Sequence, residues 1–474
     1  MIQAQKRFSW SLAQTVAFVW GGGIVAGLLA AVVERAPIPG ILQLAIATPL
    51  AIVVALFVVL LVSSQLSNIK IDQLWPQLIS ALPFAFIAGS IAGMLGIWND
   101  GSGTVALAPL DAILFVITGG LLPLGFGPTA VVRITILASC VIIMLILRAR
   151  QLHAPRAVLI GFASWVAASI ILLSESWITL VASLTRGLAF QNALDATRIL
   201  GALHTNSYWS NFQADRFLVG IGQQVQVAST LSSAALMVLL AVVVMKLILL
   251  QTLKQRMTAL VALAKRLWGR AFLLVASPLV ACFLLGIHNQ RYNWNGLDII
   301  AALLAVVVFC AWFMWWHFGR DIEDLATDEV AHPSRPLPSG IVQLDELQMI
   351  RSMLLPIAFI GAFLLGWPVL ALTIALFVVS FMASSDAFGW SQATQWRIPV
   401  WSLIACFVGL LGGAVGFRGA VLPRQIFADA LVWAILTGIL VWQKKRPIQS
   451  AFWLRYGFFI LLGAGWAITI ILSR

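Results

Sequence analysis

Charge is what this sequence has least of. Only 10% of its 474 residues are Asp, Glu, Lys or Arg, against 61% hydrophobic ones. An ordinary soluble domain is about a quarter charged, so this composition excludes a soluble globular enzyme. Cysteine is also scarce. Cys140, Cys282, Cys310 and Cys406 each lie inside an apolar run and read as small core hydrophobes, which excludes a disulfide framework or a thiolate metal cluster. No nucleotide-binding glycine loop, hydrolytic triad or internal repeat is present. Among the charged residues the carboxylates are the scarcer, at seventeen against twenty-nine Lys and Arg. The resulting net charge of +12 does not point to nucleic acid, because the basic residues sit between apolar runs. There the positive-inside rule and anionic headgroups account for them.

What is present is a succession of apolar runs of membrane-spanning length. The mean hydropathy is +1.00. The fold class is all-α, a polytopic membrane protein with about 13 transmembrane helices. The first run starts after Lys6 and Arg7 and is long enough to span, so a cleavable signal peptide is not expected. Twenty tryptophans fit interfacial belts. Spans are predicted at 12–33, 41–62, 78–98, 128–147, 157–173, 230–250, 271–287, 297–316, 353–366, 367–383, 398–416, 426–442 and 452–472. The run 104–125 holds Pro109, Asp111, Gly119, Gly120 and Pro123. It is read as a re-entrant segment, because Arg148, Arg150 and Arg156 then fall on the cytoplasmic side. The stretch 174–227 is read as extracytoplasmic and partly interfacial. The basic connector 251–270 divides the chain into a domain of unknown role, 1–255, and a second membrane domain, 256–474.

One polar stretch stands out, GRDIEDLATDEVAHPSRPLPSG at 319–340, directly after the run 297–316. The window 319–346 holds seven of the seventeen carboxylates. Asp321, Asp324 and Asp328 are spaced by three and four, so a continuing helix would stack them on one face. Like charges stacked there call for a cation, and Mg²⁺ is the usual one for carboxylates that share it with phosphate. Pro333, Pro336, Pro338 and Gly340 then end the helix and force a loop.

This stretch resembles the first aspartate-rich motif of the UbiA superfamily of intramembrane prenyltransferases. That pattern reads Asn-Asp-x-x-Asp-x-x-x-Asp, then Arg-Pro-(Leu/Ile)-x-x-Gly. Asp321, Asp324 and Asp328 fall on its aspartates, and Arg335-Pro336-Leu337-Pro338-Ser339-Gly340 falls on its tail. Arg320 replaces the leading Asn. The resemblance covers about residues 265–474 and departs from the family in three ways. The position of the second aspartate motif reads Gln443-Lys444-Lys445-Arg446-Pro447, with no carboxylate. The family's tyrosine–lysine pattern is absent at Ser384–Trp390. Seven spans follow residue 265 where the family has nine.

The resemblance implies Mg²⁺-dependent transfer of an isoprenoid chain from a polyprenyl diphosphate to a membrane-embedded, lipid-soluble acceptor. Asp321, Asp324 and Asp328 are then the catalytic and metal-binding residues. Arg320 and Arg335 are the diphosphate contacts, since guanidinium binds phosphate bidentately. Asp386 is the first candidate for a further carboxylate. Phe309, Trp312, Phe313, Trp315 and Trp316 are candidates to line an apolar cavity and stabilise a carbocation by cation–π contact. Two other readings stay open. One is a UbiA-like protein without the second motif that binds lipid or pigment, or serves as a scaffold with a partner membrane subunit. The other is a transporter, from the re-entrant segment and the intramembrane Asp111 and Arg133. The expected location is a bacterial inner (plasma) membrane among membrane lipids, with the motif loop cytoplasmic.

Overall fold

The structure, a computed structural model, describes residues 21, 43–71, 73–78, 109–118, 130–186, 193–204, 207–211, 221–252, 270–289, 295–384, 394–418, 422–443 and 451–473. The predicted spans 12–33 and 78–98, all but Pro109–Thr118 of the segment 104–125, the loop around Asp386 and the basic cluster 444–446 lie mostly or wholly outside these residues. Every element among the described residues is a helix. Nine of them are long and apolar enough to cross a membrane, and Trp367–Ala383 and Phe458–Leu472 are shorter apolar helices.

The chain divides into two compact units, Met1–Ser210 with Ala214–Lys254, and Asn211–Gln213 with Gln255–Arg474. The first unit is built on α1 (Thr48–Ser67), entered through a π-helical turn, Gln43–Ala47. The other described helices of this unit are α2 (Pro109–Ile117), α3 (Ala130–Ala149), α4 (Ala154–Leu172), α5 (Ser174–Arg186), α6 (Ala193–His204) and α7 (Ile221–Thr252). Thr48–Ser67 is buried along most of its length because α3, α4 and α7 all pack on it. It ends at Asn68, whose φ of 59° is left-handed, a conformation Asn tolerates better than other non-glycine residues. A direct hydroxyl pair, Ser63 Oγ to Ser164 Oγ at 2.9 Å, joins α1 to α4. The Trp165 indole donates to the Val116 carbonyl at 2.9 Å and fixes α2 against α4.

The part of 174–227 described here is the helices α5 and α6 and a short 3-10 turn, Tyr208–Asn211. Tyr208 and Trp209 meet edge to face and are both buried, and this burial pushes the Tyr208 hydroxyl above its ordinary range. Asp111 and Arg133 form no ion pair with each other.

The second unit contains α8 (Arg270–Asn289), α9 (Gly296–Glu323), α10 (Leu325–Ala331), α11 (Leu344–Leu364), α12 (Trp367–Ser384), α13 (Thr394–Gly416), α14 (Arg424–Gln443) and α15 (Ala451–Leu472). The closest pair is α8 and α13. A methyl on Gly412 would overlap the Leu279 carbonyl, and one on Gly416 would overlap the Phe283 carbonyl. Both partners advance by four residues in the same direction, so the two helices run parallel with their backbones in contact. Only glycine permits this approach.

Beside this contact α8 and α13 bury Cys282, Leu285 and Leu410 together with Ile426, Ala430 and Trp433 of α14. The start of α9 is fixed by a capping box: the Asn295 side chain accepts from the Asp298 amide and Asp298 accepts from the Asn295 amide. The same Asp298 carboxylate takes Arg418, just beyond α13, at 2.8 Å, with both side chains nearly fully buried. Arg418 holds a left-handed φ of 55° to make that pair, a conformation that costs an arginine about 1 kcal/mol.

Candidate functional site

The far end of α9 carries the acidic stretch. The helix is expected to run on through all three aspartates, and it does so only in part. The i→i−4 ladder is kept, with the Asp324 amide on the Arg320 carbonyl and the Asp328 amide on the Asp324 carbonyl, each 2.8 Å. At Asp324, however, φ is −83° and ψ is 5°, so α9 stops at Glu323 and the chain turns before α10 begins. The three aspartates are therefore not one face of a single rod. Asp321 is buried at the end of α9, Asp324 is exposed at the turn, and Asp328 is buried on α10.

Each arginine named from the sequence meets one of these carboxylates. Arg335 reaches back from the RPLPSG tail and forms an ion pair and hydrogen bond with Asp328. Arg320 lies 4.0 Å from Asp324, one helical turn on. The first pair is shielded and the second is open: the side-chain exposures are 33% and 7% for Arg335 and Asp328, and 42% and 52% for Arg320 and Asp324. In water-exposed geometry a pair of the second kind contributes little. Among the described residues no three His, Cys, Asp or Glu side chains converge closely enough to hold a metal ion. One Asp328 oxygen is taken by Arg335 and the three aspartates do not converge, so the side chains as arranged do not fit a shared Mg²⁺.

The loop after α10 is built from successive turns. The His332 amide bonds the Asp328 carbonyl, and Pro333 has no amide to extend the helix. The amides of Arg335, Ser339 and Gly340 then bond the carbonyls of His332, Arg335 and Leu337, at 2.9–3.1 Å. Gly340 takes a φ of 71°, which suits glycine. Leu337 and Val342 are buried and anchor the loop. Gln343 and Glu346 close a capping box that starts α11. The tail is thus a compact strap, with Arg335 fixed at one point by Asp328.

A third arginine, which sequence reasoning passed over, belongs to this end of the unit. Arg351 on α11 lies 4.7 Å over the Trp315 ring and against the α9 backbone at Gly319. A Cβ on Gly319 would stand 2.6 Å from its Nη2. The only sequence signal was a basic residue two turns into the helix that follows the acidic loop.

Below it the aromatics form a packed array. Trp312 and Trp316 stack at 5.8 Å, Trp316 meets Trp401 of α13 at 5.1 Å, and Phe313 meets His317 at 4.3 Å. Phe309, Trp312, Phe313 and Trp316 are all at most 2% exposed. Trp312 donates to the Ser380 hydroxyl at 3.1 Å, whereas the Trp316 indole nitrogen has no hydrogen-bond partner among the described residues. Trp315 stands apart, against Phe377 of α12 at 4.7 Å.

Two further buried carboxylates were hidden inside predicted spans. Asp298 makes the ion pair with Arg418 at the other end of α9. Asp429 on α14 is completely buried and touches Cys282 and Thr469. Each was legible as an acid in an apolar run, a rare occurrence that marks a site by default. Comparison with protein-family models, with curated proteins and with solved structures finds no match to this chain.

Proposed function

We propose that the second unit is a prenyltransferase-like membrane module that binds the diphosphate headgroup of an isoprenoid lipid at the cytoplasmic end of α9. The observation that carries the reading is the strap. Its Arg335 is drawn onto Asp328, which sets a guanidinium that is one-third exposed within the same short stretch as the more exposed Arg320. Phosphate oxygens are stronger partners for a planar guanidinium fork than water is, and they compete with a carboxylate for it. Arg320 and Arg335 are therefore the headgroup contacts, and Asp328 positions Arg335 between ligands. Transfer of the chain to a lipid-soluble acceptor would then need more carboxylates, from Asp386 or from a partner membrane subunit.

A second reading, lipid binding without transfer, is favoured by one observation. Phe309, Trp312, Phe313 and Trp316 are packed against one another rather than open to a guest.

Isothermal titration of the purified chain tests the proposal, using a short-chain isoprenoid diphosphate analogue and the matching isoprenoid alcohol, with and without Mg²⁺. The diphosphate should bind and the alcohol should bind at least tenfold more weakly. Arg335→Gln should weaken the diphosphate alone by about tenfold, the loss of one charge-assisted contact of roughly 1.4 kcal/mol. Equal binding of alcohol and diphosphate would remove the proposal. A transfer assay on the isolated chain, expected to show weak or no turnover, separates the two readings.

A further inference from the structure

We propose that Asp429 is a proton-binding site within the second unit, its carboxyl group held as the neutral acid between Cys282 and Thr469. The residue lies five positions into α14, about 7 Å along the helix axis from its start. Its side chain has no exposure at all. The contacts come from two other helices. The Cys282 thiol of α8 donates to Oδ2 at 3.3 Å, and Thr469 Oγ1 of α15 lies 2.8 Å from Oδ1.

The hydrogen bonds accommodate the acid. Thr469 Oγ1 also lies 3.1 Å from the Gly465 carbonyl, one turn back on its own helix. A hydroxyl has a single hydrogen. With Asp429 ionised, Thr469 gives that hydrogen to Oδ1 and the Cys282 thiol gives its own to Oδ2. With Asp429 neutral, the acid O–H donates to Thr469, the hydroxyl turns its hydrogen to Gly465, and every hydrogen again has one acceptor.

The surroundings agree. A buried carboxylate is kept ionised by a cation or by several strong donors. Asp298 has such a cation in Arg418, at the same end of the unit. Asp429 has none within 4.0 Å among the described residues. The groups that act on it from the packed helices are Cys282 on α8 and Thr469 on α15, and the next titratable group beyond Cys282 is Cys406 on α13. None of these is a cation, and a thiol is a weak donor. The unit thus treats two buried acids in opposite ways, one paired with a guanidinium and one given only a thiol and a hydroxyl, which leaves a proton to neutralise it.

Infrared spectroscopy of the full chain in lipid bilayers at neutral pH tests this directly. The wild-type protein should show the carbonyl stretch of a protonated carboxyl, moving to lower frequency in D₂O and absent from Asp429→Asn. Because the amide is close in shape to the neutral acid, the variant should fold. Should it fail to fold, wild-type protein carrying ¹³C-carboxyl aspartate decides alone, since the band must shift with the label. Absence of any protonated-carboxyl band in the labelled wild type, or a band unchanged in Asp429→Asn, overturns the proposal.

Discussion

The two units bury polarity in different currencies. Among the described residues of the first, most of the buried polar groups are serine and threonine hydroxyls, among them Ser63, Ser139, Ser164 and Ser183, with Arg133 as a single buried ion. In the second, the hydroxyls are fewer, and all the buried carboxylates among the described residues are found there: Asp298, Asp321, Asp328, Glu346 and Asp429. The hydroxyls mostly return their hydrogen to the helix they sit on, as Ser139 does to Thr135 and Ser164 does to Ile160. That arrangement is local and needs no partner from elsewhere in the chain. Beyond the capping amides that Asp298 and Glu346 accept, the carboxylates draw on side chains from elsewhere in the chain. Asp298 needs Arg418, Asp328 needs Arg335, and Asp429 needs Cys282 and Thr469. The first unit is thus held by many small polar contacts and the second by a few costly ones, so single substitutions should have unequal effects in the two.

The sharpest way to break the comparison is Arg418→Met. It leaves Asp298 buried and uncompensated, and should cost about 3–5 kcal/mol of second-unit stability. Unfolding in mixed micelles measures it, and the double variant Arg418→Met, Asp298→Leu should regain most of the loss. If the single and double variants are equally unstable, the charge is not what matters there.

Next comes Gly412→Ala, which drives a methyl into the Leu279 carbonyl and should cost roughly 1–3 kcal/mol by prising α8 from α13. Thiol-trapping of Cys282, buried beside that contact, should quicken in this variant and not in a control at Gly463, where a Cβ meets nothing.

A smaller effect is expected from Asp328→Asn, about 1–2 kcal/mol, because one partner of its pair is buried and the other is one-third exposed. Asp324→Asn should change stability by less than about 0.5 kcal/mol, since both members of its pair stand in solvent. Equal losses in the two would mean that the strap is not held by Arg335.

A small effect is also expected in the first unit. Ser63→Ala removes one hydroxyl bond between α1 and α4 and should cost about 0.6 kcal/mol, the average for an interhelical hydrogen bond in a membrane bundle. A loss as large as that of Arg418→Met would erase the contrast between the units.

Much of this was legible in the sequence, for identifiable reasons. Hydropathy locates a span because apolar length is the signal and needs no tertiary information. The predicted 398–416 and 426–442 fall within Thr394–Gly416 and Arg424–Gln443, and 157–173 overruns Ala154–Leu172 by one residue. The run 297–316 was drawn too short at its far end, where Arg320 and Asp321 are still helical. A hydropathy window stops at the first charge, whereas a hydrogen-bond ladder does not.

Proline and glycine correctly placed the strap between Ala331 and Leu344. What spacing alone does not reveal is the turn at Asp324, or that each motif aspartate next to an arginine is drawn to it. The pairings across the fold were equally out of reach. The Asn295–Asp298 capping box is readable from four adjacent letters, but nothing near Asp298 in the chain points to Arg418. Asp386 lies outside the described residues, so its place relative to the motif rests on the sequence alone.

The parallel contact between α8 and α13 has a consequence in time. Its two halves, Leu279 and Gly412, are separated by the whole of α9 to α12. At ordinary translation speeds of about 5–20 residues per second, α13 follows α8 off the ribosome by on the order of ten seconds. Throughout that interval the surface of α8 that will later receive two glycines faces lipid or whatever machinery escorts the nascent chain. The helix that begins the second unit is consequently among the last to find its permanent neighbour, and the unit closes only after its fifth span has arrived.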